Sequence, residues 1–206
     1  MKYCFFDCET TGKPRSYTAP VTDGANWPRL VQVAWLVGDD EVDPGDVQCR
    51  IVRPDGFEIP QEASDIHGIT TAQAVAEGRP LDEVLMELFD DAADCGLLVG
   101  HNVDFDRPII GAELVRVGLP TVASQWMGWP SVCTMKLGTD LCKIHGRYGY
   151  KWPKLQELYW HLFGESLQGA HRADADMVAT ARCFYEMLRR GLEIQVAAKV
   201  SLDMLS

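Results

Sequence analysis

FFDCETTG, residues Phe5–Gly12, carries the pattern from which the architecture of the chain can be inferred. An aromatic run leads into two carboxylates, Asp7 and Glu9, and then into Gly12, where the chain can turn freely. Lys2–Cys8 reads as a strand. Side chains two apart on a strand share a face, so Asp7 and Glu9 point the same way and Cys8 points the other. Two carboxylates that close repel unless a cation neutralises them, and hard oxygen ligands select Mg²⁺ or Mn²⁺. Taken alone, the pair is weak evidence, and a solvated strand end is its plainer reading.

Further strands are expected at Leu30–Val37 (LVQVAWLV) and Val47–Val52, joined by the acidic turn Gly38–Asp46. Past Pro80, the spacing of Leu81, Val84, Leu85, Leu88 and Phe89 predicts a helix. Gly96–Gly100 (GLLVG) reads as a short buried strand. The helix after it runs through Ile109, Ile110, Leu114 and Val117 and stops at Gly118 and Pro120. Helices are expected at Thr134–Cys142, Pro153–Phe163 and Ala173–Arg190, the last with Met177, Ala181, Phe184 and Leu188 on one stripe. Within Pro153–Phe163, His161 reads as helix packing. Leu192–Ser206 fits a packed helix or a tail. Early strands followed by alternating helices and strands imply an α/β domain with a mixed sheet.

Two more segments concentrate acids and histidines. HNVDFD, His101–Asp106, follows the GLLVG strand directly. Asp106 is expected to begin the next helix or lie in its first turn, where Pro108 is tolerated, and an N-cap acid is its plainer reading. HRADAD, His171–Asp176, opens the long helix. Residues five apart on a helix lie about 140° apart, so the economical arrangement puts Asp176 on the helix and His171 in the loop before it. Asp176 adjoins Met177 on the apolar stripe and so faces the sheet, where a carboxylate needs a partner.

In this order and spacing the chain resembles the DEDDh 3′–5′ exonucleases of the DnaQ-like (proofreading) superfamily. The family's D-x-E-x-T-G is met by Asp7, Glu9, Thr11 and Gly12, its H-N-x-x-F-D by His101, Asn102, Phe105 and Asp106, and its H-x-A-x-x-D by His171, Ala173 and Asp176. IHGIT, Ile66–Thr70, is similar to the segment these enzymes carry between the third strand and the next helix. The resemblance covers about residues 1–190 and implies an RNase H-like mixed β-sheet flanked by α-helices. That span would be the nuclease domain, with 191–206 a C-terminal helix or tail of the same domain.

The resemblance also implies a mechanism. Asp7, Glu9, Asp106 and Asp176 would hold two Mg²⁺ or Mn²⁺ ions, with Asp7 bridging, and His171 would take the proton of an attacking water. Nucleoside 5′-monophosphates would leave from a 3′ end of DNA or RNA. Thr10, Thr11, His67, Ile69, Asn102 and Phe105 would line the terminal nucleotide's pocket. Each of the last four has a plainer reading: Phe105 and Ile69 as core, His67 as a partner of neighbouring backbone, Asn102 as a turn residue. GRYGYKWPK, Gly146–Lys154, interleaves Arg147, Lys151 and Lys154 with Tyr148, Tyr150 and Trp152. That mixture suits single-stranded nucleic acid, and Lys151 and Lys154 are its expected phosphate contacts; a loop closing the core is the alternative.

Composition first points elsewhere. The 206 residues carry 19 Lys+Arg against 30 Asp+Glu, a net charge of −11, which argues against a basic nucleic-acid binder. Divided, residues 1–135 carry 9 against 22 and residues 136–190 carry 9 against 6, so the second part is net basic. Four of the acids are the expected metal ligands. Seven cysteines without C-x-x-C spacing read as free thiols in a reducing cytoplasm. No signal peptide or membrane span is visible; the longest uncharged run, between Arg116 and Lys136, is broken by Gly118, Pro120 and Pro130. The competing readings are a stand-alone exonuclease, a proofreading or trimming subunit with a polymerase or repair partner, a non-catalytic nucleic-acid-binding module, and an RNase H-type endonuclease.

Overall fold

The computed structural model describes residues 1–39, 47–168 and 172–192. Alternating large apolar side chains make the opening segment a strand, β1 (Tyr3–Thr10). It is followed by β2 (Leu30–Gly38), β3 (Gln48–Ile51), α1 (Gln61–His67), α2 (Thr71–Glu77), α3 (Leu81–Ala92), β4 (Leu97–Gly100), α4 (Val103–Arg116) and α5 (Pro120–Gly128). Then come β5 (Ser131–Cys133), α6 (Thr134–Cys142), β6 (His145–Gly146), β7 (Gly149–Tyr150), α7 (Leu155–Phe163) and α8 (Ala173–Arg189). Five strands form one sheet in the order β3-β2-β1-β4-β5. β2 runs antiparallel to both β1 and β3, and β4 and β5 run parallel to β1. This is the mixed, helix-flanked sheet of the RNase H-like fold.

The two-residue alternation of β1 assigns its faces. Cys4, Phe6 and Cys8 enter a core with Val33 and Trp35 of β2, Val84, Leu85 and Leu88 of α3, Ile109 and Ile110 of α4, and Trp126 of α5. Phe5 enters the opposite core with Ala34, Leu36 and the α8 stripe Ala173, Met177, Ala181 and Phe184. The face of Phe5 is also the face of Asp7 and Glu9. On its far side α8 packs against α7 through Leu158, Leu162, Cys183 and Met187. The helical phase that buries Leu158, Tyr159 and Leu162 turns His161 outward, so His161 is exposed and does not pack.

Several elements differ from the sequence expectation. IHGIT is a corner between two short helices: Gly68 takes φ +80° at the end of α1, and Thr70 caps α2 through its side-chain oxygen. The uncharged stretch after Pro120 is a helix, α5, with Pro120 in its first turn. α4 begins at Val103, directly after Asn102 at φ +77°, which leaves Asp106 in its first turn as expected. Pro108 therefore lies inside α4. Most of the acidic turn Gly38–Asp46 and residues 193–206 lie outside the described residues.

One charged group holds α4 to the strands. Glu113 sits on the apolar stripe of α4, and its side chain is 1% exposed. Its Oε1 accepts from Leu30 N–H at 2.8 Å and Arg29 Nε at 3.0 Å, and lies 3.0 Å from Arg116 Nη1. Arg29 also clamps the turn after β1: its carbonyl accepts from Thr11 N–H, and its N–H donates to Thr11 Oγ1 at 2.9 Å. Breaking a buried ion pair leaves an uncompensated charge. Glu113→Ala should therefore cost about 3–5 kcal/mol in urea unfolding, and Glu113→Gln, which keeps an acceptor for Leu30 N–H, clearly less.

Candidate active site

The site begins where β1 outruns its neighbour. β4 pairs with β1 only at Tyr3–Phe5 and ends at Gly100, so the far half of β1 has no strand on that side. A backbone N–H left there needs another acceptor. Asp106, in the first turn of α4, supplies it: Oδ1 accepts from Cys8 N–H at 3.2 Å. The carboxylate is 3% exposed. Thus a helix that packs on one face of the sheet sends its first turn round the end of β4 to the carboxylates of the other face.

On that face α8 lies over β1 and β2. Ala173 and Met177 anchor its first turns in the core beside Phe5, and Asp176 stands between them. The four acids lie within one another's field. Burial pushes Asp7 well above the usual carboxylate range, and Asp106, Glu9 and Asp176 push it further. Asp106 is raised by burial and by Glu9, against the lowering effect of Cys8 N–H. Glu9 is pushed up to about 7, first by burial and then by Asp176. The charges that raise these groups all belong to the same set, so Asp7, Glu9, Asp106 and Asp176 form one electrostatic cluster. Asp104, next to the motif, instead pairs with Lys136 on the surface.

Just past Glu9 the β1–β2 register shifts by one residue, which re-aims the chain at the cluster's edge. The Thr10 hydroxyl then donates to the Gly12 carbonyl at 2.7 Å. With the Arg29 clamp on Thr11, both threonine side chains are engaged in the turn. His67 lies beside the Thr10 backbone; burial lowers its pKa, and that backbone partly opposes the shift. Its Nδ1 accepts from Ile69 N–H at 3.1 Å, so a neutral ring carries its proton on Nε2. Ile69 is buried with Val31, Ile59 and Ala74, which is its plainer, core reading.

A cavity of about 260 Å³ opens beside this corner, lined by Gln32, Cys49, Ile51, His67, Ile69, Gln73, Arg172 and Asp174 among others. A larger cavity, about 760 Å³, lies between Val47, Tyr159 and Arg182 and holds none of the four clustered acids. Asn102 turns the chain, as its plainer reading has it, and Phe105 is half-buried against Tyr17, with ring centroids 6.4 Å apart. His171 lies outside the described residues; α8 starts at Ala173, after it.

His101 ties the site to the second half of the chain. Its ring nitrogens meet Thr134 Oγ1 at 3.0 Å and the Pro153 carbonyl at 3.2 Å, and burial holds its pKa down at about 4. The residues after Lys143 are therefore docked beside the start of α4. Lys151 and Lys154 differ in their commitments. Lys151 Nζ reaches both Glu157 oxygens, at 2.6 and 2.7 Å, so its charge is spent inside the chain. Lys154 is the exposed N-cap of α7. Two features here escaped the sequence reading. The Arg29–Glu113 clamp had a visible signal, an acid on an apolar helical stripe; the His101–Pro153 contact had none.

The sequence matches the model of the exonuclease family (RNase_T) over residues 4–184. It is 28% identical over 191 residues to the DNA polymerase III PolC-type protein of Streptococcus suis, a match covering 93% of this chain and 11% of that one. Its fold is similar to that of E. coli exonuclease I in complex with a dA16 oligonucleotide: TM-score 0.72, 21% identity, 92% of this chain and 41% of that one. The zinc-bound form of the E. coli ExoI–ssDNA complex is similar too, with TM-score 0.70 and 22% identity over 92% of this chain and 41% of that one. The family match spans all four clustered acids and nearly the whole sheet, and the chain belongs to the exonuclease family.

Proposed function

We propose that this chain is a 3′–5′ exonuclease that releases nucleoside 5′-monophosphates from single-stranded nucleic acid. The observation that carries the reading is the convergence of Asp7, Glu9, Asp106 and Asp176 from three elements into one field of like charge. Such a cluster is costly, and a positive counter-charge removes the cost. The donors are all hard carboxylate oxygens, which fits Mg²⁺ or Mn²⁺, and two ions suit four acids. Among the described residues no three such groups are gathered tightly enough to hold an ion as they stand.

When bound, divalent cations supply charge neutralisation to the phosphodiester and to its attacking and leaving oxygens. The chain's own residues do the rest. Asp106, fixed on Cys8 N–H, sets the near wall of the site. The clamped turn Thr10–Gly12 and the His67–Ile69 corner bound the terminal nucleotide, with Asn102 and Phe105 opposite. His171 takes the proton of the attacking water, work that histidine suits near neutral pH. The nuclease domain comprises residues 1–190, with 191–206 as its C-terminal element. The seven cysteines are all free, which suits a cytoplasmic setting. No helix among the described residues is long and apolar enough to cross a membrane.

A second reading is favoured by one observation. The chain spans 11% of the PolC-type polymerase it matches, so the same unit can serve as the proofreading part of a larger assembly. The isolated chain's activity and elution size separate the two. The reaction itself is tested with 3′- and 5′-labelled DNA and RNA, single- and double-stranded, with Mg²⁺, Mn²⁺ or EDTA. Mononucleotides released from the 3′ end only with a cation are expected; internal fragments, or no cation-dependent release, would refute the reading. His171→Ala should lower turnover by roughly 10²–10⁴-fold while Mn²⁺ binding persists.

The acid cluster also sets a pH dependence. Glu9 keeps its proton to about pH 7 in the fold, whereas the unfolded chain releases it near 4.5. A raised carboxyl pKa stabilises the fold below the unfolded value, and that stability is lost as pH rises through the folded value. In EDTA the melting temperature should therefore fall between pH 5 and pH 8. Saturating Mn²⁺, at about 100 times its Kd, should restore roughly 5–10 °C at pH 8 and less at pH 5, where protons compete. Scanning calorimetry at both pH values reads the effect.

A further inference from the structure

We propose that the β6–β7 hairpin and Trp152 form a stacking platform for the unpaired bases that precede the terminal nucleotide. The inference rests on the reading above, and extends it from the reacting nucleotide to the strand behind it. Three large aromatic side chains stand in the open within five residues: Tyr148 is 89% exposed, Tyr150 45% and Trp152 61%. Water-exposed aromatics grouped this closely are unusual unless something covers them.

Strand alternation explains why they face outward. Lys151 turns to Glu157 of α7, and its backbone N–H continues the hairpin by donating to the Ile144 carbonyl at 2.8 Å. Tyr150 and Trp152, one residue to either side, must take the other face. Alternate residues on extended chain lie about 6.6 Å apart. That backbone spacing is close to the roughly 7 Å that two rings need to hold one flat base between them. Tyr148 occupies the hairpin tip, with Arg147 Cζ 5.2 Å from its ring centre.

A two-stranded hairpin is marginal alone. This one is held at its base by the Lys151–Glu157 ion pair, by a ring contact between His145 and Tyr150 at 5.4 Å, and by His101, whose Nε2 meets the Pro153 carbonyl. That last contact makes the platform continuous with the carboxylate site, because His101 directly precedes the α4 turn bearing Asp106. The charge is complementary as well: residues 143–154 hold Lys143, Arg147, Lys151 and Lys154 and no acid, in a chain of net charge −11. With Lys151 engaged by Glu157, stacking by the rings, more than attraction by lysine, is the main source of grip. The occupant is thus a flexible single strand, whose bases can splay onto aromatic faces.

The test compares two substrates on the full chain. A 12-nucleotide oligodeoxythymidylate can reach the platform; the p-nitrophenyl ester of thymidine 5′-monophosphate fills only the terminal site. In Tyr148→Ala/Trp152→Ala, the ratio of the oligomer's KM to the ester's KM should rise at least about fivefold. Tyr148→Phe/Trp152→Phe should restore it, and Trp160→Ala, an exposed ring on α7, should not move it. An unchanged ratio, or equal losses on both substrates, would overturn the platform. If the parent chain hydrolysed neither substrate, the exonuclease reading would fail by itself. The platform would then be judged by binding of the labelled 12-mer in EDTA, where an equal Kd for parent and double-alanine chains would refute it and an at least fivefold weakening would support it.

Discussion

Repulsion among Asp7, Glu9, Asp106 and Asp176 is the constraint around which the rest of the molecule is arranged. Four acids at the end of a sheet would separate or protonate if the backbone allowed it. Here each is tied to an element that cannot yield. Asp7 and Glu9 belong to the central strand of the sheet. Asp106 is pinned by Cys8 N–H beyond the end of β4, and Asp176 rides on a helix anchored by Ala173 and Met177. The Arg29–Glu113 clamp joins these parts, since it fixes both the turn after β1 and the helix that carries Asp106. Stability is given up at the site and recovered in the packing around it, the usual pattern for functional strain.

Much of this was legible in the sequence, for definite physical reasons. Alternation along FFDCETTG placed Asp7 and Glu9 on one face and Cys8 on the other, and the structure has that arrangement. The stripe of Met177, Ala181 and Phe184 placed α8 on the sheet, with Asp176 turned toward it. What escaped reading depended on contacts distant in sequence or on short elements. β5 has three residues and β6 and β7 two each, too few for a periodic signal. The left-handed conformation of Asn102, which opens α4 at Val103, is likewise not encoded by pattern. Lys151 looked like a phosphate contact because Glu157, six residues on, is brought back to it only when α7 forms.

The net charge of −11 now has a spatial meaning. Part of it is the carboxylate cluster, which on the proposed reading is neutralised by bound cations. The basic residues gather in the second part of the chain, and His101 draws one group of them against the site. An acidic protein can then accept a polyanion if it meets the anion with cations at the reacting end and with aromatic rings behind it. Such an enzyme makes few direct phosphate contacts, so its binding should depend on salt less steeply than that of a basic groove.

Whether the four acids are a site for divalent cations is decided by anomalous diffraction from crystals of the chain soaked in Mn²⁺. Peaks are expected bounded by Asp7, Glu9, Asp106 and Asp176, and lost in the crystals of Asp7→Asn. Peaks confined to other acids, or none at the cluster in a well-ordered crystal above pH 7, would contradict a cation site there.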